Sequence, residues 1–484
     1  NFMRSKYDFS DPAVKFFYDS FETYYLTFSQ TVDETKMNVF MSQNPERLKT
    51  YKQYKGWKTI QQYMNLADEN DCKNYFDTVK KYSLVREYGR NGFPVEKILA
   101  HKNFDKMSPN DIYRIIRTKA DKIHTVINAG EEAVELTDNN TSQIDKYLEK
   151  PNFGLPFPWY MYNEYFLGMR ETKLLFEGFL SNEGKTRKLV LLAAYVALVQ
   201  NENFFLMSNE MDEEDLRSCL ITTVINNKEF QELHGVVLEK PEKEIVLGVY
   251  HDRKGEIIRR KIDDFGIYIE SNEDYIKRVQ SESDEYWQVR KVTEWIDSPD
   301  RKGKVMFKDV GNDYSPEQIE FELRKAKMVQ NIKYFGYDTL KGYNTDDWSQ
   351  IKQFATRLKE LTKELRMSGY AVFQLSDDTV FTDIFSLSSN NIANAKQIKH
   401  VADILNIGKK LNKDEYHKYQ MVAENDSWGE PVTEDLDLKK QYFCIKPDKN
   451  RAGSKDKIML FEIDLNLNVW RNIGYIIKRP KNSE

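Results

Sequence analysis

The residues best able to do chemistry are gathered in Leu174-Leu-Phe-Glu-Gly-Phe-Leu-Ser-Asn-Glu-Gly-Lys-Thr-Arg187, where an apolar strand candidate runs into Gly184-Lys185-Thr186 and then into the apolar stretch Leu189 to Val199. Strand, loop and helix in that order make a cradle for a triphosphate, because backbone N–H groups of the loop and of the helix start face the anion. The candidate ATP-binding set is Ser181, Asn182, Glu183, Gly184, Lys185, Thr186 and Arg187. In it, Lys185 would neutralise the β- and γ-phosphates and the Thr186 hydroxyl would sit on Mg²⁺. The first glycine of such a loop falls on Phe179, with Gly178 one residue early. Gly-Lys-Thr alone is also a common helix start with a solvated lysine; the flanking strand and helix favour the phosphate.

Two carboxylates extend this chemistry. The run Phe204-Phe-Leu-Met-Ser-Asn-Glu210 places Glu210 at the end of the next strand, the edge of a doubly wound sheet where ligands bind. There it would polarise the water that attacks the γ-phosphate; the competing role is a helix-start carboxylate among several acids, stabilised by the helix dipole. Ile332-Lys-Tyr-Phe-Gly-Tyr-Asp338 ends in Asp338, which is expected to hold Mg²⁺ through a bound water. Strand-end aspartates also cap turns.

Groups so arranged need an α/β domain with a mostly parallel sheet. From Gly154 onward, short apolar strands alternate with longer amphipathic helices. The candidate strands are Lys173–Phe176, Asn203–Met207, Lys304–Asp309, Ile332–Tyr337, Ala371–Leu375 and Phe443–Lys446. An insertion at about 235–300 interrupts them. In it, Glu244–Tyr250, a turn at Asp252–Gly255 and Glu256–Ile262 read as a β-hairpin, followed by the charge-rich helical Asp274–Trp295. Residues 1–127 read as an all-α N-terminal domain, with apolar residues at helical spacing through Val14–Phe28 and a helix start at Ser108-Pro109. Residues 128–153 read as a polar linker with one helix.

The 484 residues carry 72 Lys+Arg against 77 Asp+Glu, so the overall charge does not advertise a nucleic-acid binder, although a ring with a basic lumen remains compatible with it. Mean hydropathy is −0.69, yet 28 Phe, 29 Tyr and 7 Trp supply a core, which excludes global disorder. No apolar run reaches about 18 residues. Cys72, Cys219 and Cys444 are too scattered for a zinc site or a disulfide framework, which predicts a reducing, intracellular setting. The start at Asn1-Phe-Met-Arg predicts processing or missing N-terminal residues.

In order, Gly154-Leu-Pro-Phe-Pro, Gly184-Lys-Thr186, Ser208-Asn-Glu210-Met, Phe335-Gly-Tyr-Asp338, Phe373-Gln374-Leu-Ser, Ile398-Lys-His-Val-Ala-Asp403 and Lys449-Asn-Arg451-Ala-Gly453 resemble the DnaB-type replicative helicases. The resemblance spans about 9–474 and is strongest from 154 on. It implies a RecA-like ATPase motor at 154–478 behind a helical collar that lacks its first helices. It also implies catalytic roles for Glu210, Gln374, Arg451 and Lys449: Gln374 would sense the γ-phosphate, while Arg451, with Lys449, would reach the neighbouring subunit's nucleotide. The other reading of Lys449-Asn-Arg451 is a solvated basic hairpin in the charge-rich 446–457.

For DNA, the resemblance points to Lys341, Asn394 and Lys396. The family's arginine, acid and glycine fall here on Ala393, Asn394 and Lys396, and Asp377-Asp378 stand where a basic residue is common. The implied function is an ATP- and Mg²⁺-dependent helicase. It would be a homohexameric ring moving 5′ to 3′ on single-stranded DNA at a replication fork, with primase or a helicase loader as partners. Asn, Lys and Tyr richness suggests a bacteriophage version in the bacterial cytoplasm. The alternative is a RecA-like DNA-binding ATPase acting as a loader, recombination scaffold or non-unwinding ring member.

Overall fold

Strands buried on both faces must be apolar throughout, and the candidate strands of that kind form the parallel half of one large sheet. The computed structural model describes residues 3, 5–28, 31–66, 71–127, 135–311, 315–340, 348–389, 398–425 and 431–480. The strands are β1 (Leu174–Phe179), β2 (Phe204–Ser208), β3 (Val305–Asp309), β4 (Tyr334–Leu340), β5 (Ser368–Gln374), β6 (Ile404–Lys410), β7 (Tyr419–Asn425), β8 (Pro431–Asp435), β9 (Gln441–Asn450), β10 (Ile458–Asp464) and β11 (Val469–Lys478). Their order is β3-β2-β4-β5-β1-β6-β9-β10-β11-β7-β8. Pairings from β3 to β6 are parallel; from β6 outward they are antiparallel.

Each face of this sheet carries its own core. One is built on the helix Lys185–Ala194, of which every residue except Arg187 is buried, with Trp159, Phe166, Leu206, Val224, Phe461 and Trp470 around it. The other packs helices Pro316–Gln330 and Trp348–Glu364 through Ile319, Leu323, Ala355 and Leu358 onto Phe176, Phe335 and Ala371. Ser315 and Gln318 close a reciprocal capping box at the start of the first of these helices.

The insertion differs from its expected form. Residues Glu242–Val246 are helical, with Pro241 just before them, and only the single bridge His251↔Ile257 flanks the Asp252–Gly255 turn. The reason is local: Glu242 and Glu244 lie in the first turn, and Lys240 binds the carboxylates of Glu244 and Glu285, which fixes Glu244 on a helix. Downstream, Asn272–Glu282 and Asp284–Ile296 are helices.

The chain divides into compact units at Asn1–Asn140 and Thr141–Glu484. The first is helical among the described residues. Its longest members are Pro12–Phe28, Cys72–Arg90 and Pro109–Ile127. They bury two apolar clusters, one around Phe17, Phe40 and Tyr51 and one around Val85, Ile98 and Ile112. The helix Asn140–Glu149 in the expected linker has no buried residue.

Candidate nucleotide site

The C-terminal ends of β1, β2, β4 and β5 bring most of the expected site residues to one edge of the sheet. Phe179 pairs with Gln374 across β1 and β5, and Ser208 pairs with Asp338 across β2 and β4. Phe179 is still part of β1. Its fully buried ring packs on Phe443 and Trp470, so the position expected to hold a loop glycine is a core position here. Gly178 is a strand residue as well: a Cβ there would meet the Phe373 ring at 2.5 Å. The connecting loop is therefore short.

Gly184 caps the helix at φ 85°, and a Cβ on it would lie 2.6 Å from Leu465. Asn182 is also left-handed, at φ 59°. The first helical N–H groups have no partner within the helix and face the loop. Lys185 forms an ion pair with Glu210. Thr186 Oγ1 donates to Asp338 Oδ2 at 2.6 Å, and Ser208 Oγ donates to the same oxygen at 3.2 Å. Asp338 is fully buried. Burial pushes its carboxyl up to about 6, the Thr186 hydrogen bond opposes this, and the charge of Glu210 adds to it.

Asp338 Oδ1 is buried without a hydrogen-bond partner, beside two hydroxyls. Such an oxygen-only donor set, with one orphaned carboxylate oxygen, suits Mg²⁺, a hard cation that keeps much of its water. Thr186 and Asp338 thus fit the metal role expected of them.

The remaining loop residues are tied elsewhere. Glu183 accepts the Lys410 N–H at the end of β6 at 3.2 Å, and burial pushes its carboxyl up to about 7. Arg187 pairs with Glu242, and its carbonyl accepts from Asn468 at 2.9 Å. Ser181 and Asn182 are exposed at the loop tip. Beside the loop lies a concavity of about 500 Å³ lined in part by Lys410, Leu465 and Asn466, room for the rest of a nucleotide.

Arg451 and Lys449 stand at the opposite edge. Strand β9 runs antiparallel to β6 with Asn450 opposite Ile404. The Arg451 N–H bonds the Asp403 carbonyl at 3.0 Å, and its half-exposed guanidinium lies 3.4 Å from the Asp403 carboxylate. That carboxylate also accepts the N–H of Leu174, the first residue of β1, at 2.9 Å. Lys449 donates to the carbonyls of Lys399 and His400 and borders a concavity of about 700 Å³. Because Lys185 follows the far end of β1, the two edges are separated by roughly 17 Å of strand. Lys185 and Arg451 of one chain therefore share no cleft. Lys341, Asn394 and Lys396 lie outside the described residues.

Two groups at this site carry no motif that would have revealed them. Asn209 forms two hydrogen bonds with the Thr339 backbone. Beneath the loop helix, the fully buried Lys188 pairs with Glu177, donates to the Tyr162 hydroxyl at 2.6 Å and lies 4.3 Å from the Trp159 ring centroid. Burial lowers the Lys188 ammonium to about 8 against the pull of Glu177.

A parallel sheet with a phosphate loop after β1 and carboxylates at the ends of the neighbouring β2 and β4 is a RecA-like P-loop ATPase fold behind an α-rich N-terminal region. No family model matches the chain. It is 22% identical over 246 residues to the SPbeta prophage-derived uncharacterized protein YorI of Bacillus subtilis (strain 168), which is 45% of this chain and 49% of that protein. The chain thus spans about half the length of the curated relative it matches.

Two solved structures are similar at 15% identity. The ATPase domain of a phage helicase has a TM-score of 0.48, covering 70% of this chain and 99% of that one. A DnaB-like replicative helicase, solved for its interactions with primase, has a TM-score of 0.49, covering 97% and 94%. The chain resembles DnaB-type replicative helicases. Among the described residues, no helix is long and apolar enough to cross a membrane.

Proposed function

We propose that the chain is an ATP- and Mg²⁺-dependent replicative DNA helicase, a ring that translocates 5′ to 3′ on single-stranded DNA, encoded by a phage or prophage. The observation that supports it most is the convergence of Lys185, Thr186, Glu210 and Asp338 at one sheet edge while Arg451 projects, half-exposed, from the other.

In this reading Lys185 leaves Glu210 to hold the β- and γ-phosphates, and the helix N–H groups take the remaining anionic oxygens. Thr186 and Asp338 hold Mg²⁺, whose chemistry is to neutralise charge on the phosphates as the γ-phosphoryl transfers. Glu210, freed of its lysine, orients and deprotonates the attacking water. Gln374, paired with Phe179 at the base of the loop, is placed to respond to the γ-phosphate. Arg451 comes from a neighbouring copy, a head-to-tail contact of the kind that closes rings. A trans arginine contributes about 10³ to 10⁵ in rate in related systems.

The boundaries 1–127, 128–153 and 154–478 are the collar, linker and motor of this reading, and Lys341, Asn394 and Lys396 are its DNA contacts. Primase or a loader would dock on the collar. Displacement of a labelled strand from a forked duplex tests the reading. ATP-dependent displacement that Lys185→Ala abolishes is expected; ATP-dependent DNA binding without displacement would instead favour a loader or scaffold.

A further inference from the structure

Asn209 stands between Ser208, the last residue of β2, and Glu210. Its own N–H still bonds the Asp338 carbonyl at 2.8 Å, continuing the β2–β4 ladder. Beyond that point its side chain takes over: Oδ1 accepts the Thr339 N–H at 3.2 Å and Nδ2 donates to the Thr339 carbonyl at 3.0 Å. Thr339 is fully buried. The β4–β5 ladder is irregular there, passing from Tyr337↔Ala371 to Leu340↔Phe373. One carboxamide thus supplies the donor and the acceptor that an adjoining strand would otherwise present, and buried backbone groups need such partners.

This arrangement has a geometric consequence. Strand β4 runs on to Leu340, whereas the chain after Asn209 is free to turn and lift Glu210 toward Lys185. Ser208 completes the link, since its hydroxyl donates to Asp338 and accepts the Glu210 N–H at 3.2 Å. We propose that Asn209 is a positioning residue for ATP hydrolysis, holding the Asp338 carboxylate at a fixed offset from Glu210 by standing in for the missing rung at Thr339. This rests on the nucleotide site proposed above. The carboxamide is suited to the task because it carries a donor and an acceptor and brings no charge between two carboxylates.

The test compares full-length wild type with Asn209→Leu, which keeps the bulk and removes both hydrogen bonds, and with Asn209→Ala should the leucine variant not fold. Mn²⁺ binding to the ADP-loaded protein is followed by electron paramagnetic resonance, alongside ATPase kinetics and thermal melting. Roughly tenfold weaker Mn²⁺ binding is expected, the size seen when a group that orients a metal ligand is lost, with a comparable fall in kcat and little change in KM for ATP. A role confined to folding would move only the melting temperature, so Mn²⁺ affinity and kcat equal to wild type overturn the proposal. Lys185→Ala is measured in parallel. If it loses ADP while Asn209→Leu matches wild type, only the positioning role falls; if it still binds ADP normally, the nucleotide site is misplaced and the role falls with it.

Discussion

Replacing Glu210 by Gln should tighten nucleotide binding while stopping turnover. With no nucleotide bound, the Lys185 ammonium is held by the Glu210 carboxylate, and the two side chains are only 11% and 19% exposed. Two unit charges about 4 Å apart at an effective dielectric constant of about 20 attract by about 4 kcal/mol. Water lost by both groups offsets much of this, so a charged hydrogen bond contributes about 1.5–3 kcal/mol net. A triphosphate must displace that partner and also approach a carboxylate. The carboxamide of Glu210→Gln is neutral, so about 1.4 kcal/mol or more should return as affinity, roughly a tenfold lower Kd. Loss of the base should cut turnover by about 10²- to 10⁴-fold. Titrating a fluorescent ADP analogue with Mg²⁺ measures the first effect and quenched-flow hydrolysis the second. Affinity unchanged or weakened in Glu210→Gln would show that the pair does not compete with phosphate, and brisk turnover would remove Glu210 from the chemistry.

Three other perturbations probe the scaffold. Gly184→Ala forces a Cβ into a left-handed position 2.6 Å from Leu465; a loss of about 1–3 kcal/mol in denaturant unfolding is expected, with impaired nucleotide binding. Asp338 titrates near 6 against an ordinary 3.8. Its contribution, about 3 kcal/mol across that interval, is therefore complete below pH 3.8 and lost as pH rises through 6. Metal-free wild type should gain stability relative to Asp338→Asn as the pH falls from about 7.5 to about 5, and parallel melting curves for the two proteins would refute this. Lys188→Met leaves Glu177 charged and fully buried and should cost about 3–5 kcal/mol, much of it regained in the double change Lys188→Met, Glu177→Gln; equal losses in the two variants would count against the pairing.

The parallel half of the sheet was legible because its strands are apolar on both faces, as in Phe204-Phe-Leu-Met and Leu174-Leu-Phe. Strands β7 and β11 mix Gln, Glu, Arg and Asn with their apolar residues, since antiparallel strands toward an edge are not covered throughout, and their pattern is weaker. The helix at Glu242 looked like a strand because Ile245-Val-Leu fits either period; the ion pair from Lys240 to Glu285 that helps decide it spans far more chain than any local pattern. Glu210 and Asp338 could be found from their places at strand ends. Asn209 could not, because it replaces a backbone partner, a role with no sequence spacing of its own. The separation of Lys185 from Arg451 follows from β9 running antiparallel to β6, a topology the motifs do not encode.

The shared site between copies is tested most directly by mixing two inactive proteins, Lys185→Ala and Arg451→Ala, in equal amounts and measuring ATP hydrolysis. Each is expected to be inactive alone. In a randomly mixed head-to-tail ring, roughly a quarter of the junctions pair an intact Lys185 with an intact Arg451 from the next subunit, so about that fraction of activity should return. A mixture of exchanging subunits as inactive as its parents would contradict a nucleotide held by Lys185 of one copy and reached by Arg451 of the next.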